Sequence, residues 1–147
     1  MNESDCDDIL LVEDSAADVE LTLRAFKRNN LANPIVVAGD GAEALDYLYG
    51  RGQYADRDPS HRPKIVLLDL KLPKVDGLEV LRIIKSDRNL KTIPVVILTS
   101  SREEQDIVAS YDLGVNSYIV KPIDFDKFVD AVCQLGLYWL VLNISPR

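Results

Sequence analysis

At 147 residues, 47% of them hydrophobic and 28% charged, the chain has the length and usage of one globular domain with a real core. A formal charge of −7 excludes the basic face that nucleic-acid binding normally needs, and no apolar stretch reaches the roughly 20 residues of a membrane-spanning helix. Cys6 and Cys133 lack metal-ligand spacing, and the polar, acidic stretch Met1 to Asp8 is no secretion signal, so both read as reduced thiols of a cytoplasmic protein.

The first element is Ile9-Leu10-Leu11-Val12, an unbroken apolar run of the kind that marks a parallel strand buried on both faces. Glu13 and Asp14 follow it at once. Ser15 to Arg28 carries Val19, Leu23 and Phe26 along one helical face. Ile35 to Ala38, introduced by Asn33-Pro34, is a short second strand, and Gly41 to Tyr49 is a helix that buries Ala44, Leu45 and Leu48. Gly50 to Lys64 breaks the rhythm. It is long for a helix-to-strand connection, and such loops are usually functional or mobile. It holds the only histidine, His61, which has no spaced ligand partner and reads as an exposed loop residue.

Ile65-Val66-Leu67-Leu68 is a second buried run, and it ends in Asp69. A loop over Pro73 to Gly77 leads to a helix over Leu78 to Lys85 with Leu78, Leu81 and Ile84 inward. Val95-Val96-Ile97-Leu98, after Pro94, precedes Thr99. Glu103 to Leu113 is a further helix, stopped by Gly114-Val115-Asn116. Tyr118-Ile119-Val120 leads to Lys121-Pro122, and Asp124 caps the last helix. Five strand–helix alternations predict a parallel sheet with helices on both faces. Residues 1–8 form an acidic extension and 9–147 a single domain.

Ligands of open parallel sheets collect beyond the carboxyl ends of the strands. Three acids, a hydroxyl and a lysine converge there. Asp69 suits a nucleophile toward phosphorus, Glu13 and Asp14 suit a magnesium ion held by carboxylates, and Thr99 and Lys121 suit two oxygens of a transferring phosphoryl group. Each residue also has a plain structural use: Asp14 or Ser15 as a helix cap with Asp18 favouring the dipole, Thr99 as a strand-end hydroxyl, Lys121 as a solvated turn. The joint occurrence at four strand ends favours the shared site.

The motifs LLVEDS at 10–15, VLLDLKLPKVDGLEVL at 66–81, PVVILTS at 94–100 and SYIVKPID at 117–124 resemble the receiver domains of two-component response regulators, from Ile9 to about Leu137. The resemblance implies a flavodoxin-like (βα)5 doubly wound sandwich with five parallel strands in the order 2-1-3-4-5, an order stated for this fold type in general. It implies Asp69 as phosphoacceptor, Mg2+ held by Glu13, Asp14, Asp69 and the Lys71 backbone carbonyl, and Thr99 and Lys121 as phosphate-binding residues. Thr99 and Tyr118 would be the switch pair, and Lys121-Pro122 a cis bond. Such a protein is a signalling switch rather than an enzyme, with a histidine kinase as its partner.

The insertion GQYADRDPSHRPK and the tail LYWLVL further resemble the single-domain regulators that serve cyanobacterial phytochromes, which makes a phytochrome-type kinase the expected donor. Because the tail is apolar nearly all round, it predicts a symmetric dimer with Leu137, Tyr138, Trp139 and Leu140 as candidate contacts, the alternative being a tail folded back over its own sheet. Two other classes stay open on the residues alone. An aspartyl-phosphate phosphatase would want an acid where Lys71 stands, and a constitutive adaptor would have no need of the full acidic set.

Overall fold

The computed structural model describes residues 8–31, 33–99, 113, 115 and 117–136. Its elements are β1 (Ile9–Val12), α1 (Ala16–Arg28), β2 (Ile35–Ala38), α2 (Gly41–Tyr49), β3 (Ile65–Asp69), α3 (Gly77–Ser86), β4 (Val95–Thr99), β5 (Tyr118–Val120) and α4 (Phe125–Gln134). The expected helix over 103–113, most of the Gly114 to Asn116 stop and the tail residues Leu137, Tyr138, Trp139 and Leu140 lie outside the described residues. The strands form one parallel sheet in the order β2-β1-β3-β4-β5, as expected.

The unbroken apolar runs have a direct cause. Successive side chains of a strand point to opposite faces, and here both faces are covered. Leu10, Val12, Val66, Leu68, Val95 and Ile97 pack with Ala44, Leu45 and Leu48 of α2 and Val80, Leu81 and Ile84 of α3. Their neighbours Ile9, Leu11, Ile65, Leu67, Val96 and Leu98 pack on the other face with Phe26 of α1 and Phe128, Ala131 and Val132 of α4. Phe26 and Phe128 sit with ring centroids 4.6 Å apart and tie α1 to α4.

Two helix faces differ from the sequence expectation. Leu23 remains 36% exposed, because it overhangs the edge strand β2, where it lines a groove with Val19 and Val37. Thr22 takes the buried place instead, with its hydroxyl donating to the Asp18 carbonyl at 2.8 Å. On α3, Leu78 is only partly buried and Val80 is fully inside.

The long connection after α2 is a fitted pad. Gly50 closes α2 in the left-handed region, at φ 65°, and a short 3-10 turn follows over Gly52–Tyr54. Glu43 accepts from the Tyr54 hydroxyl at 2.7 Å and from Gln53 at 2.9 Å. Arg57 lies over the Tyr47 ring, 3.9 Å from its centroid, and donates to the Tyr47 and His61 carbonyls. Arg62 reaches the Asn89 carbonyl at 2.6 Å. Within this pad His61 is half-buried and lies 3.6 Å from Asp58, which corrects its reading as an exposed residue.

Close backbone approach positions the loop after β3. A Cβ on Gly41 would lie 1.9 Å from the Val75 carbonyl oxygen, and one on Gly77 would lie 2.2 Å from the Asp69 carbonyl oxygen. Gly77 also donates its N–H to the Leu70 carbonyl at 3.0 Å. In an unstrained helix alanine is favoured over glycine by about 1 kcal/mol, but here the obstacle is backbone and cannot swing away. Gly77→Ala is therefore expected to lower the unfolding free energy by about 3 kcal/mol, read as a drop in urea midpoint at unchanged slope; a stabilised variant would show that the loop yields.

Candidate functional site: the acidic pocket at the strand ends

Register assembles the site. Val12 pairs with Leu68, so the chain leaving β1 brings Glu13 beside Asp69. Asp69 pairs with Leu98 and Thr99 with Val120, and the Lys121 N–H donates to the Thr99 carbonyl at 2.7 Å. One row of strand ends thus carries Glu13, Asp69, Thr99 and Lys121. All but the lysine are at most 5% exposed. The Lys121-Pro122 bond is cis, as expected.

Lys121 is the hub. Its ammonium donates to Glu13 Oε1 at 2.9 Å, to Asp69 Oδ2 at 2.9 Å and to Asp18 Oδ2 at 3.1 Å, which occupies all three of its N–H bonds. The second oxygens of Glu13 and Asp69 are also engaged. Glu13 Oε2 accepts the Ser15 N–H at 3.1 Å, and Asp69 Oδ1 accepts the Lys71 N–H at 3.0 Å. Burial pushes the Glu13 carboxyl up to about 7, with the Asp69 charge adding to the rise and the Lys121 hydrogen bond opposing it. Burial alone would lower Lys121, but its hydrogen bonds to Glu13 and Asp69 and the Asp69 charge outweigh that and hold it above the ordinary lysine value.

Asp14 is exposed, beside Glu13. Glu13, Asp14 and Asp69 each offer a carboxylate oxygen, and these oxygens lie within 4.8 Å of one another. Hard anionic oxygens gathered so closely fit a divalent cation of the magnesium or calcium kind better than a soft metal. Ser15, not Asp14, caps α1, accepting the Asp18 N–H at 3.3 Å. Asp14 is left with no capping duty.

Other expected residues fall around this row. The Lys71 side chain is exposed, and its backbone N–H donates to Asp69 Oδ1. Tyr118, on β5, is 42% exposed, so its ring is turned outward rather than held in the core. Asp18, expected only to favour the helix dipole, also accepts from Lys121. The signal was present in helical spacing: Asp18 stands one turn beyond Asp14, on the part of α1 that faces the strand ends.

The family model described as "Response regulator receiver domain" matches residues 9–133. The solved structure of the bacteriophytochrome response regulator AtBRR is 58% identical, with a TM-score of 0.84, covering 91% of this chain and 95% of that one. Response regulator Rcp1 of Synechocystis sp. is 42% identical over 138 residues, covering 94% of this chain and 92% of that protein. Its Mn(2+)-bound structure gives a TM-score of 0.75 at 40% identity, covering 96% of this chain and 99% of that one. The structure of the phosphorylated cyanobacterial phytochrome response regulator RcpA is 44% identical, with a TM-score of 0.76 and coverage of 93% and 96%. Among the described residues no helix is long and apolar enough to cross a membrane.

Removing a buried charge while its partners remain is costly. Lys121→Met leaves Glu13 and Asp69 facing each other without their cation, and is expected to cost about 3 kcal/mol of stability in chemical denaturation. Millimolar Mg2+ should restore more stability to this variant than it adds to the wild-type chain, because the acids gain a counter-charge with no lysine competing. Equal stabilisation of both chains would contradict this account of the pocket.

Proposed function

This chain belongs to the response regulator receiver domain family, and on that footing we propose that it is a single-domain response regulator phosphorylated on Asp69, with a phytochrome-type histidine kinase as donor. The observation that carries the reading is the Asp69 carboxylate at the end of β3, bonded to Lys121 and grouped with Glu13 and Asp14. The phytochrome assignment rests on likeness to AtBRR, Rcp1 and RcpA.

In the proposed transfer an Asp69 oxygen forms a bond to phosphorus as the P–N bond of the donor phosphohistidine breaks. The electron pair stays on the imidazole, which leaves neutral after taking one proton from solvent. Glu13, Asp14, Asp69 and the Lys71 carbonyl would hold Mg2+, which supplies positive charge to the phosphoryl oxygens. Lys121 neutralises one of those oxygens and the Thr99 hydroxyl donates to another. Lys71, two residues after Asp69, offers no acid for the leaving-group chemistry of a phosphatase. The cytoplasm is the compartment this signalling role requires.

An acyl phosphate adds nearly two negative charges and three strong acceptors. The reading is that Thr99 moves toward them and leaves room for Tyr118 to turn inward from its exposed position, which changes the surface that partners meet.

Incubation with phosphoramidate and Mg2+ is expected to add one phosphoryl group by intact mass, and Asp69→Asn should add none. A wild-type chain that binds Mg2+ but gains no mass would favour the constitutive adaptor instead. Thr99→Ala should still gain the phosphoryl group while losing the phosphorylation-dependent change in Tyr118 fluorescence or ring NMR signals. A full Tyr118 response in that variant would contradict the coupling.

A further inference from the structure

Three carboxylates share the Lys121 ammonium, and their duties differ. Glu13 belongs to the candidate metal set, and Asp69 becomes the acyl phosphate. Asp18 has neither task. It sits in the first turn of α1 and is held there twice through its backbone, by its N–H on Ser15 Oγ at 3.3 Å and by its carbonyl on the Thr22 hydroxyl at 2.8 Å. Its carboxylate oxygen Oδ2 lies 3.1 Å from Lys121 Nζ, and the side chain is 34% exposed against 10% for the lysine. A surface aspartate serving only the helix dipole would have no reason to turn onto a nearly buried ammonium. The helix cap is already supplied by Ser15.

We propose that Asp18 is a positioning residue: its carboxylate anchors the Lys121 ammonium through the phosphorylation cycle and so keeps the lysine aimed at the phosphoryl oxygen. The inference rests on the receiver reading above and deepens it. Before transfer the lysine bonds three carboxylates. Once Asp69 carries the phosphoryl group and Glu13 serves a metal, two of those bonds are redirected and Asp18 alone holds the ammonium from the side. Lysine is a flexible four-carbon stem ending in a point charge, so an ammonium with no fixed partner would sample water and lose its aim. Rigid placement of charge is what phosphoryl transfer asks of the protein.

Asp18→Ala keeps a helix-forming residue and leaves the Ser15 cap in place, so α1 has no cause to unwind. Asp18→Asn keeps an acceptor but removes the charge. Phosphorylation by phosphoramidate at saturating Mg2+, followed by intact mass over a range of donor concentrations, reads the maximal rate apart from the half-saturating donor concentration. Asp18→Ala is expected to lower the maximal rate about tenfold in the wild-type background and to leave half-saturation unchanged. Asp18→Asn should recover part of the loss. In a Lys121→Met background Asp18→Ala should add nothing, since the residue it acts through is gone.

An equal loss in both backgrounds, or no loss in the wild type, overturns the inference. The second readout does not need the Lys121 variant to react. In wild-type protein kept phosphorylated by excess donor, the Lys121 ammonium protons should exchange slowly with water by 1H–15N NMR, and about tenfold faster in Asp18→Ala. Unchanged exchange also overturns it. A wild-type chain that accepts no phosphoryl group overturns the receiver reading itself, and this inference with it, whereas a phosphorylated wild type with an indifferent Asp18→Ala overturns this inference alone.

Discussion

One ammonium group holds the functional end of this molecule together. Glu13 and Asp69 are nearly buried acids beside each other at the ends of adjacent strands, and in a low-dielectric setting two such charges repel strongly. Lys121 lets them coexist. Its bonds of 2.9 Å to each, and of 3.1 Å to Asp18, supply the counter-charge that the sheet itself cannot. Even so, the acids around it outnumber it. The pocket formally carries Glu13, Asp14, Asp18 and Asp69 against one lysine, and that excess is what makes a divalent cation a natural occupant. Burial raises the Glu13 carboxyl toward 7, against the Lys121 hydrogen bond and with the Asp69 charge.

The sheet delivers these groups by arithmetic rather than by loop design. Parallel pairing of β1 with β3, β3 with β4 and β4 with β5 fixes each terminal residue against its neighbour. Apolar packing on both faces prevents a slip, because a shift of one residue would turn every core side chain to the wrong face. Around the row, small residues let backbone approach backbone. Gly41 sits under the Val75 carbonyl and Gly77 under that of Asp69, so the loop carrying Lys71 is pressed between α2 and β3. The pad of residues 50–64 braces α2 from outside through Glu43 and Tyr47. The acidic row is thus carried on strand ends whose flanking side chains are packed on both faces, as positioning chemistry requires.

Much of this was legible in the residues. Continuous apolar runs ending in acids, hydroxyl and lysine located the strands and the site together, because buried parallel strands leave no room for alternation and their ends are where polar groups collect. Leu23 was misplaced for a reason that one-dimensional spacing cannot supply: helical periodicity names a face, but whether a neighbour covers that face depends on where the sheet stops. β2 is an edge, so Leu23 overhangs it. The connection over 50–64 looked like a loose loop since the contacts that tie it to the rest of the fold come from Glu43, Tyr47 and Asn89, ten or more positions away, and leave no local pattern. Asp18 looked like a dipole residue because its partner, Lys121, is 103 positions away.

In the proposed function, one carboxylate among four would accept the phosphoryl group, and that carboxylate is Asp69. Borohydride reduces an acyl phosphate to the alcohol, turning the modified aspartate into homoserine, while free carboxylates do not react. Phosphorylating the chain with phosphoramidate and Mg2+, reducing it with borohydride and sequencing the peptides by mass spectrometry reads the acceptor directly. Homoserine is expected at position 69, with Asp14 and Asp18 unaltered. Homoserine at another position, or none anywhere in a chain that has bound Mg2+, would contradict it.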